Sequence, residues 1–418
     1  MRKWLIKNER KVIRFLEIMP GFISWSLILF PVWGAFFVPT AVAYYIIGFD
    51  IYWLYRSVVA AVMAVMSNFR IKAAQRFDWF GEVKSFLDWD RVHHIAVIPT
   101  YMEPLHTLKR TLKGLSKQTF PRKNLTIVLG FEKREGAKGR DKAKRLLKEF
   151  DGVFGNLITT FHPDLKGEVK GKSSNTAWAA KIAKKLLIDK QGKDINYCTI
   201  TSNDADAILH PHYFSYLSFK FLDDPKRYER IWQSAIHFYN NIWKLPVLTR
   251  TFNRISSVVA TGILMRKDRL INFSTYSISL KLVDDIGYWD VDVIPEDYRM
   301  FFKAFYATSG RVEVEPIFLP SFADAAEAHG FWNTMTNQYE QIKRWAWGVS
   351  DDSYIIFKWL TVPNMPFWEK SIRSFFVVKD HILWPVSWFA ITLGANIPPL
   401  LNKDFNRTII GKTLPQVS

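Results

Sequence analysis

An uncharged apolar run near the N-terminus constrains this chain more than any other feature. No charged residue occurs from Gly21 to Phe49, and this run exceeds the ~20 residues that cross a bilayer as a helix. It is too long for a cleaved signal peptide, and no small-residue cleavage site follows a short core. The run therefore predicts a membrane-embedded part beside any soluble domain.

Two arrangements of this apolar region fit the sequence, one long tilted helix or a helical hairpin. Pro31 and Pro39 interrupt the run, and apolar character resumes from Ile51 to Met66. We favour the hairpin, with helices at about Met19 to Phe37 and about Thr40 to Val62. Its second helix carries Asp50 and Arg56, which are costly in a bilayer unless they are paired or lie near its surface.

Basic residues flank the apolar region on both sides. They are Arg2, Lys3, Lys7, Arg10, Lys11 and Arg14 before it and Arg70, Lys72 and Arg76 after it. We expect an integral protein of the plasma membrane. Because positive flanks stay in the cytoplasm, its following domain should be cytoplasmic.

The formal charge of +18 predicts anionic partners, which include lipid headgroups, nucleic acid and phosphorylated substrates. Composition alone does not choose among them. Cys198 is the only cysteine, so an intramolecular disulfide and a cysteine-rich zinc site are excluded. We interpret Cys198 as a small buried residue rather than a catalytic thiol.

The central part of the chain alternates short β-like runs with helix-like runs, which favours an α/β fold with an open parallel sheet. The predicted strands are His94 to Pro99, Leu125 to Leu129, Asn156 to Thr160 and Asn196 to Ser202. The predicted helices are Pro104 to Gln118, Gly136 to Phe150 and Ser174 to Leu187. Ligands of such sheets bind beyond the carboxyl ends of the strands.

Polar residues follow the first, second and fourth of these strands. Thr100 and Tyr101 follow the first, Glu132 the second, and Asp204 and Asp206 the fourth. Two carboxylates two positions apart can meet a divalent cation and leave its other positions to phosphate oxygens. The alternative for this Asp-x-Asp pair is a solvated turn.

Further elements are predicted downstream. They are a helix from His210 to about Leu222, a strand from Val258 to Met265, helices from Asp297 to about Ala307 and from Asn333 to Gly348, and a third membrane crossing from Ile382 to Asn402. We interpret His210 and His212 as packing or capping residues rather than metal ligands.

Four stretches together resemble the family 2 glycosyltransferases, specifically the membrane-embedded processive branch of cellulose and hyaluronan synthases. They are Ile98-Pro99-Thr100-Tyr101-Met102-Glu103, Asn203-Asp204-Ala205-Asp206, Ile294-Pro295-Glu296-Asp297-Tyr298 and Gln341-Ile342-Lys343-Arg344-Trp345. The resemblance implies a GT-A-type domain and inverting transfer from a nucleotide-diphosphate sugar to a growing polysaccharide.

The resemblance also implies roles for the acidic residues. Asp204 and Asp206 would hold Mg²⁺ or Mn²⁺, with Asp204 also contacting the nucleotide. Asp297 would be the catalytic base for the acceptor hydroxyl, and Glu296 would hold or orient the site. Helix-entrance capping is the alternative role for this Glu-Asp pair.

Gln341, Arg344 and Trp345 match the Gln-x-x-Arg-Trp motif of the processive branch. Gln341 and Trp345 are four apart on a helix, so they share a face with Arg344 beside them. An indole suits the apolar face of a sugar, and a guanidinium suits a diphosphate. The alternative for Trp345 is an anchor at the membrane surface.

The residues that the resemblance assigns to nucleotide binding match the family pattern only in part. Thr100, Tyr101 and Glu103 match the first-strand motif, and Lys172 matches a lysine that contacts the diphosphate or the base. The family's aspartate after the second strand is replaced by Glu132, which departs from the pattern for a UDP-sugar.

These observations divide the chain into seven segments. They are a cytoplasmic N-terminus at 1–18, a transmembrane hairpin at 19–66, a linker at 67–93, a cytoplasmic GT-A domain at 94–348, interface helices at 349–381, a transmembrane segment at 382–402 and a tail at 403–418. A single third crossing would place the basic tail outside, against the charge rule.

Two alternatives to the polysaccharide synthase remain. One is a non-processive enzyme that adds one sugar to a lipid-linked acceptor, which the few crossing segments favour. The other is a membrane-anchored protein that binds nucleic acid or anionic lipid, which leaves the carboxylate and aromatic motifs unexplained. We expect membrane lipid as a partner and no nucleic acid.

Overall fold

The computed structural model describes residues 1–417. Its α-helices are α1 Arg2–Lys7, α2 Glu9–Phe37, α3 Pro39–Arg76, α4 Trp79–Val83, α5 Leu105–Leu115, α6 Gly136–Glu149, α7 Lys172–Lys184, α8 Tyr213–Asp223, α9 Val247–Ile263, α10 Leu280–Asp285, α11 Glu296–Ala307, α12 Phe331–Ala346, α13 Asp352–Thr361, α14 Phe367–Thr392, α15 Ile397–Leu401, α16 Lys403–Arg407 and α17 Ile409–Val417. Its strands are β1 His93–Thr100, β2 Leu125–Glu132, β3 Asn156–His162, β4 Cys198–Ser202, β5 Ile208–Leu209, β6 Arg230–His237, β7 Tyr276–Ser279 and β8 Glu313–Phe322.

The chain forms two compact units. The central unit is Met63–Trp345, and the terminal unit combines Met1–Val62 with the residues from Ala346 onward. The strands of the central unit form one mixed sheet in the order β3-β2-β1-β4-β7-β6-β8-β5. Strands β1 to β4 pair in parallel, whereas β7 is antiparallel to both β4 and β6. The predicted α/β fold class is confirmed.

The predicted elements of the parallel half are found within a few residues of their expected ends. Strand β2 is buried at every position and β1 at nearly every one, as continuous apolar runs in a covered parallel sheet require. The fourth strand begins later than predicted, at Cys198. The preceding residues Ile195–Tyr197 form a 3₁₀ turn that Asp194 caps by accepting from the Asn196 N–H.

The strand predicted from Val258 to Met265 is wrong, because most of this stretch lies in helix α9. Thr249, Asn253 and Ser257 recur every four residues and face inward. The Ser257 hydroxyl donates to the Asn253 carbonyl at 2.8 Å, a bond across one helical turn. Val258 and Val259, at the start of the predicted strand, lie instead on the outer side of this helix.

Parallel pairing brings the carboxyl ends of β1 to β4 to one edge of the sheet. Antiparallel β7 enters at the same edge, since Tyr276 at its start pairs with Ser202 at the end of β4. Residues 272–275, which precede β7, are therefore delivered next to the Asp-x-Asp pair.

Helix α2 and the first part of α3 form a hairpin as predicted, with a break at Val38. Both helices are longer than predicted, because α2 begins at Glu9 and α3 continues past Val62 to Arg76, through the first part of the predicted linker. Tyr45 of α3 donates its hydroxyl hydrogen to the Leu27 carbonyl of α2 at 3.3 Å, and its ring meets Phe30 edge-on at 5.3 Å. Both helices are long and apolar enough to cross a membrane. Arg56 of α3 donates from both of its terminal nitrogens to the carboxylate of Asp380 in α14, at 2.7 and 3.3 Å.

The predicted crossing from Ile382 to Asn402 does not form one helix. Helix α14 begins at Phe367 and ends at Thr392, and a 3₁₀ turn at Gly394–Asn396 separates it from α15. Because α14 starts so early, its middle carries Lys379, Asp380 and His381. The stretch from 349 to 381, predicted as interface helices, contains α13 and the first part of α14.

Candidate active site

Lys172 joins two of the predicted acidic motifs. It is the first residue of α7, and its Nζ lies 2.7 Å from Asp204 Oδ1 and 2.7 Å from Glu296 Oε1. The same ammonium donates to the Ser274 carbonyl at 2.8 Å. Residues far apart in the sequence thus meet at one cation, which compensates carboxylates that would otherwise repel each other.

Ser274 joins the third carboxylate to this cluster. Its backbone N–H donates to Asp297 Oδ2 at 3.0 Å, and its hydroxyl donates to Asp204 Oδ2. Ser274 has a φ of +56°, in the left-handed region that L side chains rarely adopt. Such strain is held at positions that the surrounding structure fixes strongly. The sequence analysis did not identify Ser274.

Burial and neighbouring charges shift the pKa values of Glu296 and Asp204 in opposite directions. Burial, together with the charges of Asp297 and Asp204, raises the pKa of Glu296 to about 7 against the pull of Lys172. Burial also raises the pKa of Asp204, but the charge and hydrogen bond of Lys172 outweigh it and leave this pKa lowered. Asp204 therefore stays ionised at neutral pH, whereas Glu296 is poised near its midpoint.

Asp297 lies at the start of α11 and also borders the acidic cluster. As the second residue of α11 it accepts from the Tyr298 N–H at 2.9 Å through Oδ1, a contact of the capping kind. Its other oxygen faces Ser274 in the acidic cluster. Asp297 is partly exposed, so a hydroxyl of a bound acceptor can reach its carboxylate.

Asp206 lies in a second acidic group with Asp324. Its Oδ2 accepts from the Asp324 N–H at 2.8 Å, and the Asp324 carboxylate accepts from Arg110 Nη2 at 2.6 and 2.7 Å. Burial first, and then the charge of Asp204, raise the pKa of Asp206 to about 7. The sequence analysis did not identify Asp324 or Arg110.

The donor chemistry of Asp204 and Asp206 fits a divalent cation shared with a phosphate. Both side chains are carboxylates, which hard cations prefer, and ionised Asp206 is poorly compensated by the protein around it. Among residues 1–417, no three His, Cys, Asp or Glu side chains are arranged to hold a metal ion.

The first-strand residues form another side of the site. The Tyr101 ring lies 3.8 Å from the guanidinium carbon of Arg134, and Arg134 Nε donates to the buried carboxylate of Glu132. The hydroxyl of Thr100 is buried, with no hydrogen-bond partner in the described part of the chain. Tyr101 and Glu132 are thus brought together, while Arg134 was not predicted.

Glu103 lies nearer the acidic groups. Burial raises its pKa, and the charges of Asp324 and Asp204 add to the effect. Met102 before it has a φ of +60°, so the loop after β1 is strained as the segment before β7 is.

Helix α12 presents the Gln-x-x-Arg-Trp motif. Gln341 Oε1 accepts from Gln338 Nε2 at 3.1 Å, and Gln338 Oε1 accepts from Asn253 Nδ2 at 2.7 Å, which ties α12 to α9. The Trp345 ring is 40% exposed and lies against Phe252 at 6.3 Å with an interplanar angle of 22°.

Arg344 connects this motif to the acidic cluster electrostatically. Its positive charge is one of the influences that lower the pKa of Asp204, after the larger ones of Lys172 and Ser274. Arg344 is itself exposed, so its guanidinium is accessible to a ligand above the site.

Comparisons with known proteins agree with these motifs. Residues 199–402 match the family model described as glycosyl transferase family group 2. The match covers the Asp-x-Asp, Glu-Asp and Gln-x-x-Arg-Trp stretches and supports a family 2 glycosyltransferase. Among curated protein sequences no significant match is found.

Two examples of the solved structures that are similar to the chain follow. One is the mannosyltransferase PcManGT from Pyrobaculum calidifontis in complex with GDP-Man and Mn²⁺, at 14% identity and a TM-score of 0.47, covering 86% of this chain and 95% of that one. The other is S. aureus TarS 1–349 in complex with UDP, at 11% identity and a TM-score of 0.41, covering 78% of this chain and 88% of that one.

Proposed function

We propose that this chain is a membrane-integrated, inverting glycosyltransferase of the plasma membrane whose central unit works in the cytoplasm. It transfers a sugar from a nucleotide-diphosphate donor, UDP-linked in our proposal, to a growing polysaccharide. The observation that carries the proposal is the meeting of Asp204, Glu296 and Asp297 around Lys172 and Ser274.

The reaction needs a base on the acceptor side, and we assign Asp297 to it. The acceptor hydroxyl gives its proton to the Asp297 carboxylate while its oxygen forms the new bond to the anomeric carbon. The bond from that carbon to the diphosphate oxygen breaks at the same time, so the configuration inverts and the nucleoside diphosphate leaves. Glu296, buried against Lys172, positions the neighbouring residue rather than contacting the acceptor.

The departing diphosphate needs positive charge. We assign this charge to Lys172, to Arg344 and to a metal ion that the Asp-x-Asp pair would hold. Asp204 and Asp206 would hold Mg²⁺ or Mn²⁺, which supplies electrostatic stabilisation of the leaving group when bound. Thr100, Tyr101, Glu103 and Glu132 would contact the nucleoside. The orphaned buried hydroxyl of Thr100 supports this, since a ligand would give it a partner.

The acceptor end of the site is proposed to lie at Trp345. Its exposed indole, held against Phe252, offers a flat apolar surface of the kind that carries sugar rings. A second candidate is the transfer of one sugar to a lipid-linked acceptor. The apolar helices α2 and α3 favour it, because two crossings would anchor the chain at a lipid surface without by themselves forming a polymer channel.

Binding measurements separate this enzyme from a membrane-anchored binding protein. The detergent-solubilised chain is titrated with nucleotide sugars and, separately, with nucleic acid, each with and without Mn²⁺. The proposal predicts nucleotide-sugar affinity that depends on the metal. Nucleic-acid affinity without any metal-linked nucleotide affinity would contradict it.

Product analysis then separates the two acceptors. Membranes that contain the chain are incubated with a panel of nucleotide sugars, and product lengths are compared with those from an Asp297→Asn control. Long saccharides made by the parent chain support processive synthesis, whereas a singly extended lipid supports the second candidate.

A further inference from the structure

Helix α9 of the central unit has an inverted arrangement of polar and apolar side chains. Its buried side carries Thr249, Asn253, Ser257 and Thr261, whereas its outer side carries the large aliphatic residues. The outer residues are between 45% and 70% exposed; they are Val247, Leu248, Ile255, Val258 and Val259. A helix of a water-soluble domain normally shows the opposite pattern.

The polar side of α9 is satisfied from within the protein. Asn253 Nδ2 donates to the Thr249 carbonyl at 2.8 Å, and the Thr261 hydroxyl donates to the Ser257 carbonyl at 2.7 Å. Asn253 also donates to Gln338 of α12 at 2.7 Å. The bonds to neighbouring elements fix the rotation of α9 about its axis: Asn253 bonds to Gln338, and the Phe238 N–H donates to the Ser257 hydroxyl at 3.1 Å. The aliphatic side of the helix therefore faces outward.

Aromatic and basic side chains border this aliphatic surface. Trp243 immediately precedes α9 and is 72% exposed. The guanidinium carbons of Arg250 and Arg254 lie 5.4 and 4.9 Å from its ring centroid. From Ile242 to Lys267 the chain has no acidic residue.

We propose that α9 docks in the plane of a membrane that contains anionic lipid, with its aliphatic side in the acyl region. Exposed tryptophan and arginine beside an apolar helix face are typical of interfacial helices, because indole and guanidinium sit at headgroup level. Basic residues without acidic neighbours match the negative charge of anionic headgroups. This inference does not depend on the proposed reaction.

Docking of α9 has a consequence for the acceptor side of the candidate site. The Asn253–Gln338 hydrogen bond and the Phe252–Trp345 contact join α9 to α12. A lipid surface that orients α9 therefore also orients the helix that presents Gln341, Arg344 and Trp345.

Spin labelling of the full chain in lipid nanodiscs tests the proposal. Burial raises the pKa of Cys198 to about 12, so a thiol-specific nitroxide reacts with an introduced cysteine and spares the native one. The label is placed by Val258→Cys on the aliphatic side of α9 and by Lys144→Cys on the exposed side of α6 as a control. Thermal melting against the parent chain checks that each labelled variant is folded.

Collisions with oxygen and with a water-soluble nickel complex report the depth of each label. We expect oxygen to dominate at position 258 and the nickel complex to dominate at position 144 in nanodiscs that contain phosphatidylglycerol. Nickel access at position 258 equal to that at position 144 would overturn the proposal. Low access of both reagents at position 258 would also overturn it, because protein rather than lipid would then cover α9.

A charge reversal tests the anionic part of the proposal. Lys244→Glu combined with Arg254→Glu should reduce the oxygen preference at position 258 and remove its dependence on phosphatidylglycerol. The matched control is Lys144→Glu with Lys148→Glu on α6, which should leave the label unchanged. Equal responses of both pairs would contradict recognition of anionic lipid by α9.

Discussion

Lys172 is the residue on which the acidic site depends most. Burial alone would lower its pKa, but the charges of Asp204, Glu296 and Asp297 outweigh burial and raise this pKa well above its ordinary value. Lys172 is therefore a permanent cation at the N-terminus of α7, where helix N–H groups also favour anions. The arrangement suits a diphosphate whose negative charge would replace part of the carboxylate charge.

Replacing Glu296 should change how stability depends on pH. The folded-state pKa of about 7 lies above the ordinary value of 4.5, so the contribution of this group to stability is complete below pH 4.5 and is lost as the pH rises through 7. Glutamine does not ionise. We therefore expect the melting temperature of Glu296→Gln, relative to the parent, to be a few degrees higher at pH 8 than at pH 5.

Calorimetric melting of both proteins at pH 5 and pH 8 gives this difference directly. Glu313→Gln, at an exposed position of β8, is the control and should show no such trend. A difference between Glu296→Gln and the parent that is the same at both pH values would contradict burial of an ionisable Glu296.

Arg110 acts on Asp206 through Asp324. Arg110→Gln removes the charge that holds the Asp324 carboxylate, so the Asp324 N–H that Asp206 accepts from loses its fixed position. We expect Mn²⁺ affinity in the presence of nucleotide to fall by ~10-fold, as for other groups that orient a metal ligand. Arg110→Lys should lose less, because it keeps the charge but not the two-contact geometry.

Mn²⁺ affinity for these variants is measured by electron paramagnetic resonance of the free ion, with melting curves to check folding. If Arg110→Gln binds Mn²⁺ as tightly as the parent chain, Asp324 does not orient a metal ligand.

The residues predicted from the sequence and those it missed differ in how they act. Asp204 and Lys172 carry recognisable chemistry in short motifs, and their side chains meet at 2.7 Å. Ser274 and Asp324 lie in irregular segments, and each donates its backbone N–H to a predicted carboxylate. Because every residue type except proline has such a group, no short motif indicated these two positions.

Among the elements, strands β1 to β4 were predictable from the sequence, and strands β5 to β8 of the mixed half of the sheet were not. Strands β1, β2 and β4 are buried almost throughout, and the helices between the four parallel strands have a clear period. Strand β7 has only four residues, and two of them, Ser277 and Ser279, are polar although they are fully buried. An apolar pattern in the sequence therefore does not indicate this strand. The end of helix α9 was predicted as a strand, because its aliphatic residues face outward and do not follow the pattern of a buried helix face.

Helix α12 allows a test of the acceptor platform. Trp345→Ala removes the exposed ring above Phe252, so we expect saccharide elongation to fall by ~10-fold or more while metal-dependent nucleotide affinity persists. Tyr339→Ala removes another exposed ring of the same helix and should have little effect. Unchanged product length and rate in Trp345→Ala would reduce Trp345 to an anchor.

At the scale of the whole molecule, the hairpin of the terminal unit makes a prediction about topology. Basic residues flank the α2–α3 hairpin on both sides, so both flanks should lie in the cytoplasm. A reporter at the N-terminus and one inserted after Arg76 should therefore report the same side of the membrane. Opposite sides would mean that α2 and α3 do not form two crossings.

In the proposed reaction, the Asp-x-Asp pair and the Glu-Asp pair have different roles. Asp206 should act through the metal, so Asp206→Ala should weaken metal-dependent nucleotide binding and turnover together. Asp297 should act only when the acceptor proton moves, so Asp297→Asn should keep nucleotide affinity and lose ~10²-fold or more in turnover.

Calorimetry on Asp206→Ala and Asp297→Asn distinguishes these two roles. Nucleotide binding in the presence of Mn²⁺ is measured for both variants and the parent, with transfer rates recorded on the same samples and folding checked by thermal melting. We predict parent-like affinity without turnover for Asp297→Asn, and weak affinity for Asp206→Ala. If Asp297→Asn binds nucleotide as poorly as Asp206→Ala, or transfers sugar at the parent rate, Asp297 is not the base.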